Sequence, residues 1–108
     1  MIRTYDKPLL IQRRQPDGSF ADWWRVHAHI NRTGGGESFD SGARRDGLRL
    51  TFEMAYFSSL TDIFLDTQSF RIIYNGAVFY VEDYDDYMER HVSVRLEGVC
   101  TGERYGQP

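Results

Sequence analysis

The stretch Phe70-Arg-Ile-Ile-Tyr-Asn-Gly-Ala-Val-Phe-Tyr-Val81 constrains this chain more than any other. Asn75-Gly76 separates two runs of β-branched and aromatic residues. Asn and Gly accept the positive φ angles of a two-residue type I′ turn, whose twist matches that of paired strands. The predicted hairpin sets Tyr74 opposite Ala77, Ile73 opposite Val78, Ile72 opposite Phe79, Arg71 opposite Tyr80 and Phe70 opposite Val81. Alternation gathers Phe70, Ile72, Tyr74, Ala77, Phe79 and Val81 on one uncharged face. Arg71, Ile73, Val78 and Tyr80 share the other, which suits a partly covered surface. A hairpin alone is marginal in water, so further strands must close over the apolar face.

Their positions follow from the same alternation. After a lead-in over Met1–Pro8, Leu9–Arg13 reads as a short strand, followed by a turn at Pro16-Asp17-Gly18. Trp23–Asn31 sets Trp24, Val26, Ala28 and Ile30 against Trp23, Arg25, His27, His29 and Asn31. Leu48–Tyr56 sets Leu48, Leu50, Phe52, Met54 and Tyr56 against Arg49, Thr51, Glu53 and Ala55. The last strand, His91–Cys100, points Val92, Val94, Leu96 and Cys100 one way, with Gly98 breaking the row. Ser59-Leu60-Thr61-Asp62 has the outline of a capping box, and a short helix through Leu65 would turn Leu60, Ile63 and Phe64 inward. The expectation is an all-β fold in a single domain, 1–108. It is a six-stranded antiparallel barrel or sandwich with one short helix and flexible tails over 1–8 and 101–108.

The connection Arg32–Gly47, between strands two and three, obeys no pattern. It holds 5 of the chain's 10 glycines, and Phe39 is its single large apolar residue. Such a segment buries too little to offset an ordering entropy of about 1–2 kcal/mol per residue. A loop of this length inside a small domain is either functional or disordered.

Composition narrows the chemistry. The net charge of −3 gives no support to a membrane surface or to wholesale nucleic-acid binding. One cysteine, Cys100, excludes an internal disulfide and fits a reducing compartment, and its strand position makes it a core thiol. The N-terminus lacks the apolar run of a signal peptide, and no stretch reaches the length of a membrane span. A soluble intracellular protein is expected.

No catalytic constellation emerges. His27, His29 and His91 lack a neighbouring Cys or carboxylate at ligand spacing, so a solvated polar face is the better reading than a metal site. Glu82, Asp83, Asp85, Asp86 and Glu89 do not follow the calcium-loop spacing and read as a solvated connection. Gly34-Gly35-Gly36 is followed by Glu37-Ser38 and then a strand, not by the Lys-Ser/Thr and helix of a phosphate loop. Ser38 and Ser41 lack a nucleophile elbow. No cofactor or metal is expected, and no enzymatic turnover. The basic pairs Arg13-Arg14 and Arg44-Arg45 could touch phosphates, or serve solubility or a salt bridge to a neighbouring copy.

Taken in order, Leu9-Leu10-Ile11-Gln12-Arg13, the Trp24-x-x-x-Ala28 strand and the glycine-plus-Glu37 loop precede the Leu48–Tyr56 strand. The Phe70–Val81 hairpin and a final strand ending at Cys100 follow. This ordered set, covering roughly residues 9–100, resembles the head–tail joining family of tailed bacteriophages, the head-completion or stopper proteins of the neck. The departure is Ser58–Gln68, longer and more helical than the short turn common in that family.

The resemblance implies a small β-barrel subunit that is monomeric in isolation and forms a ring in the virion, dodecameric in relatives. The ring would lie beneath the portal and adaptor rings and dock a tail-completion or tail-tube protein. It also implies that the Arg32–Gly47 loop projects into the channel and holds packaged DNA, with sequence-nonspecific contact at most and no membrane partner. The gating residues would be Gly34, Gly35, Gly36, Glu37, Ser38, Phe39, Arg44 and Arg45, with Arg44 and Arg45 nearest DNA. Localisation would be the virion neck, and the host cytoplasm during assembly. The residues also support this picture on their own: glycines let backbones crowd near a symmetry axis, and a closed ring gives every copy a neighbour to order its loop. Phe39 is the apolar anchor expected where loops meet. Competing readings are a tail-terminator or other neck ring, and a small barrel binding a ligand or nucleic acid with the glycine loop as lid.

Overall fold

The computed structural model describes residues 5–32 and 47–106. Six antiparallel strands form the domain: β1 (Lys7–Arg14), β2 (Phe20–Arg32), β3 (Leu48–Ala55), β4 (Phe70–Tyr74), β5 (Ala77–Asp85) and β6 (Ser93–Cys100). Pairing runs β1-β2-β3-β6-β5-β4, and β4 pairs back onto β1, so the sheet closes on itself as a barrel with no unmatched outer strand. The central hairpin has the register that Asn75-Gly76 dictates, with Tyr74 opposite Ala77 and Arg71 opposite Tyr80. Asn75 and Gly76 take φ of 55° and 80°.

One face of every strand lines the core. Ile11, Phe52, Ile72, Phe79 and Leu96 are almost completely buried there. Each contributes about 1.5–3 kcal/mol of transfer free energy. Gly98 breaks the β6 row for a steric reason: a Cβ there would meet Phe79 Cβ at 3.0 Å and Phe52 Cε2 at 3.1 Å. A second, smaller cluster forms on the outside, where Leu10, Ile73 and Val78 are buried with Tyr80 packed against them. The face that sequence marks as partly covered is so: Ile73 and Val78 are buried, while Arg71 and Tyr80 keep intermediate exposure.

The barrel has two distinct ends. Ser58–Leu60 forms a single 3₁₀ turn that runs into α1 (Thr61–Leu65), and this connection spans the end where β3 stops and β4 starts. Leu60 and Ile63 are wholly buried in the main core, whereas Phe64 is exposed, contrary to the inward direction expected of it. A five-residue helix has too few turns for periodicity to fix its inner face, and packing selects Ile63. Asp62 makes no capping bond; its carboxylate pairs with Arg13 at 3.2 Å.

Three further expectations change. Lys7 and Pro8 belong to β1, opposite Ala28 and His27, so the lead-in is shorter than 1–8; residues 1–4 lie outside the described residues. The segment after Cys100 is docked: Val78 N–H donates to Glu103 O, Tyr105 N–H donates to Gly76 O, and Arg104 bridges Ala77. It prolongs the β6 side of β5 beyond a bend at Gly102, and only 107–108 lie outside the described residues. Val92 precedes β6 and is exposed.

The two tryptophans exchange their expected roles. A bulge between Ile11 and Gln12 shifts the register, so Ile11 faces Trp24 while Gln12 faces Asp22. Trp23 turns toward the core and packs on Phe70 at 4.8 Å between ring centroids. Trp24 stays partly in solvent, leaning on Phe57 at 4.9 Å.

Candidate functional site at the loop-bearing end

The end opposite α1 carries the β2–β3 connection. Gly34, Gly35, Gly36, Glu37, Ser38, Phe39, Arg44 and Arg45 lie outside the described residues. What the structure gives is the mounting of this segment. β2 reaches it with Arg32 opposite Leu50, so the outgoing foot is part of a sheet ladder. The returning foot is Gly47, at φ +85°, where a Cβ would stand 2.2 Å from the Cys100 carbonyl oxygen. Only glycine lets the chain re-enter this close to the end of β6. Leu48 then pairs with Cys100, and the loop leaves and returns between two adjacent strands that pair with each other from Arg32 and Leu50 onward.

A polar chain runs across the outside of the barrel, from the start of β2 to the segment after β6. Gln12 Nε2 donates to Asp22 Oδ1 at 3.0 Å, and Arg71 Nε donates to Gln12 Oε1 at 2.8 Å. Arg71 also reaches the Tyr80 hydroxyl at 3.4 Å, and that hydroxyl donates to Glu103 Oε1 at 2.7 Å. The Arg71 guanidinium lies 4.2 Å over the Phe20 ring, a cation–π contact on a largely covered side chain. Burial, then the Glu103 carboxylate, raises the Tyr80 hydroxyl pKa above the ordinary phenol value, with Arg71 opposing. Four strands and the C-terminal segment are thereby tied together. The Arg71–Tyr80 pair is implicit in the hairpin register; Gln12, Asp22 and Glu103 carry no sequence signal that links them to it.

The other sequence candidates are dispersed. Arg13 pairs with Asp62 and faces the rings of Trp23 and Phe70, and Arg14 donates to the Gln68 carbonyl. Both belong to the α1 end, away from the loop. His27 and His29 lie along β2, whereas His91 stacks on Tyr56 and clasps Asp86 through both its ring and its backbone N–H. Met88, Glu89 and His91 all take positive φ, so this clasp holds a strained connection. Glu82 is engaged by Arg49 at 2.8 Å. Cys100 is buried in the core, as its strand position predicts. Glu53, placed by alternation on the outer face, is buried against Tyr5 and Arg95. No group of three or more metal-ligating side chains gathers among the described residues, and none of their helices is long and apolar enough to cross a membrane.

Compared with known proteins, the chain matches no protein-family model and no curated protein. The likeness to neck proteins therefore rests on the residues quoted for it.

Proposed function

We propose that this chain is a structural subunit of a tailed-phage neck: a head-completion or stopper protein that assembles as a ring under the portal and adaptor. On this reading it closes the DNA channel with the 32–47 segment and offers the tail its docking surface. The observation that carries the reading is the mounting of that segment. A glycine-rich insertion, expensive to order alone, is rooted between Arg32 and Gly47 at one end of a closed barrel. A closed barrel carrying an insertion that is costly to order alone suits a gate that takes its shape from neighbouring copies.

The work assigned to the chain is mechanical, so no cofactor enters it and no bond is made or broken. DNA is obstructed, with Arg44 and Arg45 supplying nonspecific phosphate contact. Assembly tests the proposal: the purified chain is mixed with a tailed-phage portal–adaptor assembly and imaged by electron microscopy. A ring of copies with density across its channel is the expected result. Failure to mount on that assembly, with the chain folded, contradicts the proposal.

A further inference from the structure

We propose that copies of this chain meet head to tail through opposite flanks of the barrel. The Trp24-Arg25-Val26-His27 stretch of β2 on one copy sits on the acidic Asp83–Asp85 stretch of β5, with Phe64 beside it, on the next. The proposal rests on the ring reading for its symmetry, and on charge and exposure for its surfaces.

In the closed order β1-β2-β3-β6-β5-β4, β2 and β5 stand three strands apart in either direction, so they face away from each other. Followed one way round, the pairings lead from Asp83 through Glu97 and Thr51 to Asn31. Followed the other way, they lead from Tyr80 through Arg71 and Gln12 to Asp22. The stagger of a tilted barrel therefore brings Asp83 level with the middle of β2, near Arg25.

The two flanks are complementary. Asp83 lies directly across from Glu97, a like-charge pairing that disfavours the sheet. Arg49 serves Glu82 and Glu97, and neither Asp83 nor Asp85 has an ion pair among the described residues. A cation supplied from outside relieves that repulsion. Arg25 is suited to supply it: its side chain is 76% exposed and its contact with Asp22, at 3.7 Å, is too open to hold it. Each flank also carries an aromatic residue out of the core, Trp24 at 43% exposure and Phe64 at 59%, the latter against Tyr84. Aromatic anchors beside charge are what protein interfaces favour. Because the complementary surfaces lie on opposite sides, the contact is heterologous and repeats from copy to copy; a two-fold pairing would set acid against acid.

Carbodiimide coupling, which joins amines to carboxylates in contact, tests this with the full chain at high concentration. Arg25→Lys should yield ladders longer than dimers, with links mapped by mass spectrometry to Asp83 or Asp85. Asp83→Lys added to Arg25→Lys should lower the yield of flank-to-flank links at least tenfold, and Arg25→Glu combined with Asp83→Lys should restore them with the reacting groups exchanged. Oligomers linked through other surfaces, products that stop at dimers, or no links from a chain that still mounts on the adaptor would each overturn the flank assignment while leaving the ring reading standing. A chain that neither links nor mounts overturns both.

Discussion

Gly98 lies so close to Phe79 that a Cβ on the glycine would stand 3.0 Å from the Phe79 Cβ. The aromatic residues at the centre of the barrel thus depend on a missing side chain in β6. Phe52 and Phe79 meet edge to face at 5.4 Å between centroids, above the place where Gly98 leaves room.

Gly98→Val should therefore destabilise the fold by about 1–3 kcal/mol through overpacking. Urea unfolding should show a lower midpoint with an unchanged slope. An unaltered midpoint would mean that the rings have room to move.

Gly47→Ala combines two penalties, a left-handed backbone at φ +85° and a Cβ 2.2 Å from the Cys100 carbonyl oxygen. The backbone term alone costs about 1–2 kcal/mol. The contact must also push β3 away from β6. Thermal unfolding should fall by several degrees, and amide exchange should quicken at Leu48 and Cys100 before it does elsewhere.

At the closed end of the barrel, adjacent residues should behave in opposite ways. Ile63 is wholly buried, so Ile63→Ala should cost about 2–5 kcal/mol. Phe64 is 59% exposed, and Phe64→Ala should change stability by about 0.5 kcal/mol or less. Equal losses in denaturant titrations of the two variants would contradict this orientation of α1.

Alkaline pH should weaken the fold through Tyr84. Burial first, then the charges of Asp86 and Tyr56, push its hydroxyl up to about 12. The folded chain thus keeps a proton that the unfolded chain releases near pH ~10. Stability from this group is complete below the unfolded value and is lost as pH climbs from there toward the folded one. Tyr84→Phe should flatten that part of the stability–pH curve, and an unchanged slope would place the sensitivity elsewhere.

Local chemistry was legible in the sequence. Asn75-Gly76 and the alternation around it dictate the hairpin register, and the same alternation marks Ala28, Leu50, Phe52 and Leu96 as core. What could not be read depends on partners distant in the chain. The inward turn of Trp23 follows from a bulge opposite β1, which no pattern within β2 announces. The docking of Glu103 and Tyr105 uses backbone hydrogen bonds and one carboxylate, so a polar segment reads as a tail until β5 is beside it. At the candidate site, composition singles out residues 32–47, but the need for glycine at Gly47 arises only once the Cys100 carbonyl is in place.

Amide hydrogen exchange across residues 33–46, compared between the free chain and the chain mounted as a ring on its adaptor, tests the gating proposal most directly. Protection of these amides should rise sharply on mounting, while the strands they connect change little. Equal exchange in the two states, or full protection already in the free chain, would contradict a gate that neighbouring copies bring to order.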